Sequence, residues 1–438
     1  MLFFAATVFL VFKQPKVRIP FTSKRVWIDY GWAPLLAVFI LLATRFIDSS
    51  TISSGVIGAG NVSPYSIIIL IMSLSYICIS LDYTGFFEYV SLKVVGASKN
   101  SGRKLFIYFF ALTAFLTLFT DNDIVILTMT LIMFYISINA KINPIPFLFA
   151  QFFAVNILGM ALYIGNPANI VAADAYGLSF AEFAKWMLLP SAFSALACLI
   201  LLWVVFRRKI PRRFRAIKVE PGSSLRDKRG AIFGSAVLVL VIIFMSLPTS
   251  MTGVPIWGIA LFFAAVMVFH DMAKHRAGVF KIFARLPWKV VPFLIGFFIM
   301  IEALVAAGWT DLFASQLSGL SGSVIITVFG VCFLTSLSAG VMSNHPMTIF
   351  FVRVFNSPSF AATQTTRLGA TLGLVVGSNF GANLTLIGAL AGIMWAGILH
   401  DKGIQISFSQ FSKYGLLIMP LVTIVAGLTL IAEIMLFV

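Results

Sequence analysis

The chain has 438 residues and a formal charge of +16, yet only 11% of its residues are charged and 60% are hydrophobic. Apolar runs recur along its whole length, which excludes a soluble enzyme and indicates an all-α polytopic membrane protein. The Lys and Arg excess lies in loops between those runs, the pattern of cytoplasmic loops facing anionic lipid rather than of nucleic-acid binding.

Residues 1–63 read as N-terminal transmembrane helices. Met1 to Phe12 is apolar and only then basic, the reverse of a secretory signal, so it reads as a retained first helix. Lys13 to Arg25 is expected to be a cytoplasmic basic loop, Tyr30 to Ile47 an outward crossing, and the Ser/Gly-rich stretch Asp48 to Ser63 an exterior loop. Residues 64–206 form a first repeat. Pro64 to Leu81 crosses back, and Tyr83 to Tyr89 is too polar and short to span, so it suits the interface.

From 103 to 141 the chain is apolar with basic flanks, except for Thr120-Asp121-Asn122-Asp123 at its middle. A single crossing would strand its carboxylates at the membrane centre and end with Lys141 outside. Two half-length helices entering and leaving on one side avoid this, so the segment reads as a re-entrant hairpin. The stretch 147–176 holds Asn156, Gly159, Gly165, Asn166, Pro167 and Asn169 at its middle, which predicts a discontinuous helix with an unwound centre. Trp186 to Phe206 then returns inward, and 207–229 is a basic cytoplasmic linker.

Residues 230–286 hold a connecting helix pair and, from Lys274, a second basic loop that runs to Lys289. The second repeat, 287–438, carries a hairpin at 323–355 and a broken helix at 369–399. Counting 223 residues forward takes Pro64 to Pro287, Gly85 to Gly308, Asp121 to Asn344, Asn156 to Asn379 and Gly165 to Gly388. Ser179-Phe-x-x-Phe-x-Lys-Trp is echoed 228 residues on by Ser407-Phe-x-x-Phe-x-Lys-Tyr. One polar design is therefore written twice. With the basic loops inside, the second hairpin opens outward, so the repeats are inverted and the C-terminus lies outside the plasma membrane. That is the architecture of an alternating-access secondary transporter.

The hairpin tips and broken helices bring half-helix ends together, whose positive N-termini favour anionic or oxygen-rich ligands. Asn122, Asn156, Gly165, Asn166, Asn169, Asn344, Asn379, Asn383 and Thr385 are the candidate substrate-binding positions, since amides supply donor and acceptor together and suit a small polyhydroxy solute. Each Asn taken singly also fits a second role, satisfying loose backbone groups at a helix break. Asp121 and Asp123 are the only carboxylates expected at that depth, and either could carry a coupling proton or cap a half-helix. His345 is a second titratable candidate, while Arg353 and Arg367 suit the outer lipid interface. Cys78, Cys198 and Cys332 lie far apart without CxxC spacing, so no disulfide framework or zinc site is indicated. Gly96 to Lys104 misses nucleotide-loop spacing by one residue, and no cofactor signature stands elsewhere.

Several blocks now stand in order: Asp82-x-x-Gly-Phe-Phe-Glu, Leu118-Phe-Thr-Asp-Asn-Asp, Asn169-Ile-Val-x-Ala-Asp, Pro287-Trp-Lys-Val, Ser343-Asn-x-Pro and Gly377-Ser-Asn-Phe-Gly-Ala-Asn-Leu-Thr. Together they resemble the arsenite permease family of the ion transporter superfamily, from Asp82 to the end of the chain. The resemblance implies prokaryotic export of arsenite or antimonite by proton antiport, with or without a soluble ATPase subunit. This chain has Asn379 and Asn383 where the bacterial arsenite permeases carry an acidic residue and a lysine. Sodium/proton antiporters and carriers of silicic acid, sulfate or carboxylates share the superfamily and stand as the alternative.

Overall fold

The computed structural model describes residues 1–18, 25–27, 29–58, 62–215, 221–274 and 276–438, and nearly all of them are helical or connect helices. Among the described residues, eight helices are long and apolar enough to cross a membrane. Two series of elements follow one order. The first is Pro64–Tyr83, a short helix Phe86–Ala97, a hairpin of Gly102–Thr117 and Asn122–Ala140, a broken helix of Ile145–Gly159 and Pro167–Tyr176, and Phe180–Phe206. The second is Val290–Ala306, Trp309–Leu317, a hairpin of Val324–Met342 and Asn344–Asn356, a broken helix of Gln364–Gly381 and Leu390–Asp401, and Phe408–Phe437.

Local chemistry matches between the two series. Gly85 and Gly308 turn the chain into the short helices with φ of 84° and 74°. Asn156 and Asn379 each donate a side-chain amide to the carbonyl one turn earlier, Phe152 at 3.2 Å and Val375 at 2.9 Å. Gly165 and Gly388 each press against a carbonyl ending the preceding half-helix, Gly159 and Gly381, where a β-carbon would collide. Ser179 and Ser407 cap the last helices by accepting from the amides of Glu182 at 3.2 Å and Gln410 at 3.1 Å.

Three stretches expected to be loops carry structure. The Ser/Gly-rich stretch after Ile47 contains the helix Ser49–Ile57, started by Asp48, whose carboxylate accepts from the Thr51 amide at 2.8 Å. Its small residues allow close packing: a β-carbon on Gly55 would lie 2.6 Å from Ile299 Cα, in the middle of Val290–Ala306. The second basic stretch contains the helix Arg276–Arg285, which turns Ile282 inward, sets Phe283 against Tyr76 at 5.2 Å and pairs Arg285 with Asp82 at 2.6 Å. At the first basic stretch, Lys16–Arg18 pairs antiparallel with Arg25–Trp27, while 19–24 lie outside the described residues. So do 216–220 of the basic linker, which also holds the four-residue helix Pro221–Ser224. Leu2–Lys13 and Ala33–Ala43 are helices of 12 and 11 residues, about 18 and 16 Å long and so shorter than a bilayer core.

The two series interlock through aromatic side chains. Phe149 and Phe152 of the first broken helix meet Tyr414 at 4.8 Å and Trp395 at 5.0 Å, on the last helix and the second broken helix. This packing holds the helix breaks of both series side by side.

Candidate functional site

Each break exposes a helix N-terminus, and the local sequence explains each. Asp121 ends the turn after Thr117, and its Oδ1 accepts from the Asp123 amide at 2.9 Å to start Asn122–Ala140. Asn166 starts Pro167–Tyr176 by accepting from the Ala168 amide at 3.0 Å, with Pro167 at the first helical position. The other two starts lack a side-chain cap. Ser343 precedes Asn344–Asn356 at φ 70° and ψ 150°, a conformation costing a non-glycine residue on the order of 1–3 kcal/mol. Ala389 precedes Leu390–Asp401. Uncapped amides and aligned peptide dipoles make such ends electropositive.

All four starts border one cavity of about 180 Å³, reached by Asp121, Asp123, Pro167, His345 and Leu390. Ser75, Tyr30 and Phe293 complete its polar and aromatic wall, and it extends to Arg285. At about 30 Å³ per water, the space suits roughly six waters or a solute of a few heavy atoms. Asp121 is committed to its cap, whereas the Asp123 carboxylate has no hydrogen-bond partner among the described residues. Both ring nitrogens of His345 and the Asn344 Oδ1 are buried without partners. Arg285 is the one Lys or Arg among the described lining residues, and it is held at the rim by Asp82 at 2.6 Å.

The asparagines occupy a layer behind this cavity. Asn122 donates to Asn156 Oδ1 at 3.1 Å, and Asn156 donates to Asn383 Oδ1 at 2.8 Å. Asn166 donates to Asn379 Oδ1 at 2.9 Å, and Asn379 donates to Asn169 Oδ1 at 2.9 Å. Asn169 in turn donates to the carbonyls of Gly159 and Leu162 at 2.7 and 2.9 Å. These amides tie the broken helices to each other across the two series, and all except Asn122 are fully buried. Thr385 donates to the Gly340 carbonyl at 2.6 Å, and the Asn344 amide donates to the Gly388 carbonyl at 2.9 Å, fixing the second hairpin to the second broken helix.

Sequence reasoning missed several positions. Ser75 is a polar interruption of an apolar span, a signal that could have marked it. Tyr30 and Phe293 carry no such mark. Glu302 and Glu433, 8% and 5% exposed in Val290–Ala306 and Phe408–Phe437, are further carboxylates within spans, but neither lines the cavity. Arg353, expected at the lipid interface, is instead paired with Glu302 inside the fold.

The family described as CitMHS, citrate transporter, matches residues 19–364. An arsenical pump membrane protein of Escherichia coli is 28% identical over 418 residues, covering 94% of this chain and 93% of its own length. That of Yersinia enterocolitica is 27% identical over 397 residues, covering 89% and 90%. Among solved structures, the Alcanivorax borkumensis YdaH transporter, described as having an unusual topology, matches with a TM-score of 0.59 at 13% identity, over 99% of this chain and 96% of that one.

Proposed function

The chain belongs to the citrate transporter family, and from that premise of a multi-pass membrane transporter we propose that it exports arsenite or antimonite by proton antiport. The observation that carries this reading is the charge of the central cavity. Two carboxylates and an imidazole face it, and the Arg285 guanidinium is ion-paired at the rim. A multivalent carboxylate such as citrate would meet like charge there. Undissociated arsenous acid is a neutral trihydroxy solute that fits a space of about 180 Å³ and finds hydroxyl, carboxylate and helix N-terminal partners. The arsenical pump names of the relatives support the same substrate.

Uphill movement of an uncharged solute needs a group whose charge changes during the cycle. Asp123 takes that role, being the carboxylate without a structural bond, and Asp121 holds the helix start beside it. His345 is the second titratable group within the cavity. The asparagine layer keeps the broken helices together while the two hairpins carry the solute between the membrane faces, as inverted repeats would do in the cytoplasmic membrane. The pole holding Arg285 and Lys289 is then cytoplasmic. Sodium/proton exchange is the second reading, since a carboxylate pair also suits a sodium ion.

Everted vesicles separate the two. Arsenite uptake driven by an imposed pH gradient and unaffected by sodium is the expected result. A sodium-dependent proton flux with no arsenite uptake would transfer the assignment to the antiporter.

A further inference from the structure

A larger cavity, of about 680 Å³, lies at the far ends of the same half-helices. Pro167–Tyr176 begins at the central cavity and ends here, about 15 Å away at 1.5 Å per residue, and Asn344–Asn356 runs the same course. The lining includes Arg353, Arg367, Tyr176, Asn356 and Gln364, with no carboxylate among the described lining residues. Arg353 is already paired with Glu302, which leaves Arg367 as the cation of this lining without a carboxylate partner among the described residues. Arg367 sits in the first turn of Gln364–Gly381, and its Nε is buried without a hydrogen-bond partner.

We propose that this vestibule is a second ligand site, for a small phosphate or carboxylate oxyanion gripped by the Arg367 guanidinium. A guanidinium presents a planar fork that matches two oxygens of such an anion, and Arg367 lines the cavity with no carboxylate partner among the described residues. The lining comes from three different elements: Tyr176 from the first broken helix, Asn356 from the second hairpin, and Arg367 from the second broken helix. An anion seated there bridges elements that must separate for the centre to open on this side, so it holds that gate shut. The same oxyanion chemistry has two sources, a free anion in the aqueous phase and an anionic lipid headgroup.

The test uses the full chain in nanodiscs of phosphatidylcholine alone, titrated with inorganic phosphate and, separately, citrate, with thermal unfolding as the readout. A saturable upward shift in the wild type, weakened about tenfold or more in Arg367→Gln and partly kept in Arg367→Lys, supports a site for free anion. Phosphatidylglycerol retained through purification by the wild type and lost in Arg367→Gln, measured by native mass spectrometry, supports a site for a headgroup. Should neither anion nor lipid show a dependence on Arg367, the proposal is wrong. Arg367→Lys keeps the charge in place, so a general folding defect in Arg367→Gln alone is recognised. Arsenite uptake by the wild type without added anion is read in parallel, and it reports on the central cavity and not on this one.

Discussion

Asp121 and Asp123 stand two residues apart on one tip, yet the backbone gives them different tasks. At Asp121, φ −56° and ψ 136° turn the carboxylate back onto the helix start, while Asp123 lies one position inside the helix and faces the cavity. Asparagine caps a helix about as well as aspartate. Asp121→Asn should therefore keep most of the pH-driven arsenite uptake in everted vesicles, whereas Asp123→Asn should reduce it to the level of empty vesicles while arsenite still protects the protein thermally. Equal loss in both variants would remove the distinction drawn here. The sequence made the tip legible, because carboxylates in an apolar run need a reason. It did not tell cap from cavity group, since that depends on backbone angles no spacing reveals. The asparagines teach the same point. Their positions stood out in the chain, but their mutual pairing, Asn166 through Asn379 to Asn169, is a tertiary fact.

Among the elements, the broken helices could be read from Gly165, Pro167 and the glycines around Asn379, because such residues interrupt a helical ladder wherever they fall. The helices Ser49–Ile57 and Arg276–Arg285 could not be read, since Ser, Gly and Lys also compose loops, and both owe their order to packing against a span. Movement follows from how the elements are joined. At the vestibule, Asn356 donates to the Ala175 carbonyl at 3.4 Å and Tyr176 to the Gln364 carbonyl at 3.1 Å. If the second hairpin must part from the first broken helix in each cycle, those contacts break. Ala175→Cys with Asn356→Cys, in a chain without its native cysteines, should lose transport when bridged by a reducible thiol cross-linker and regain it on reduction. Undiminished transport by the bridged protein would place the moving boundary elsewhere.

For the whole molecule, the open question is which face each half presents. Lys99 and Gly322 are 223 residues apart, occupy the same place in the two series, and are both exposed. Cys78, Cys198 and Cys332 are buried, out of reach of a water-soluble thiol reagent. Single cysteines introduced at Lys99 and Gly322 should react with a membrane-impermeant maleimide from opposite sides, Lys99→Cys only in everted vesicles. Reaction of both from one side would leave the repeats parallel and the assignment of a cytoplasmic basic pole without support.

The asparagine layer also bears on whether the two series are interchangeable. Asn156 and Asn379 are counterparts that keep the same backbone bond, yet Asn166 and Asn169, which serve Asn379, correspond to Ala389 and Gly392, and Asn383 corresponds to Met160. A gene carrying the second half twice would keep the Asn379 bond to Val375 but set its other amide hydrogen against glycine, with no side-chain oxygen in place of Asn169 to receive it. The two series are thus complementary, each supplying amide partners that the other lacks, and neither can stand in for the other.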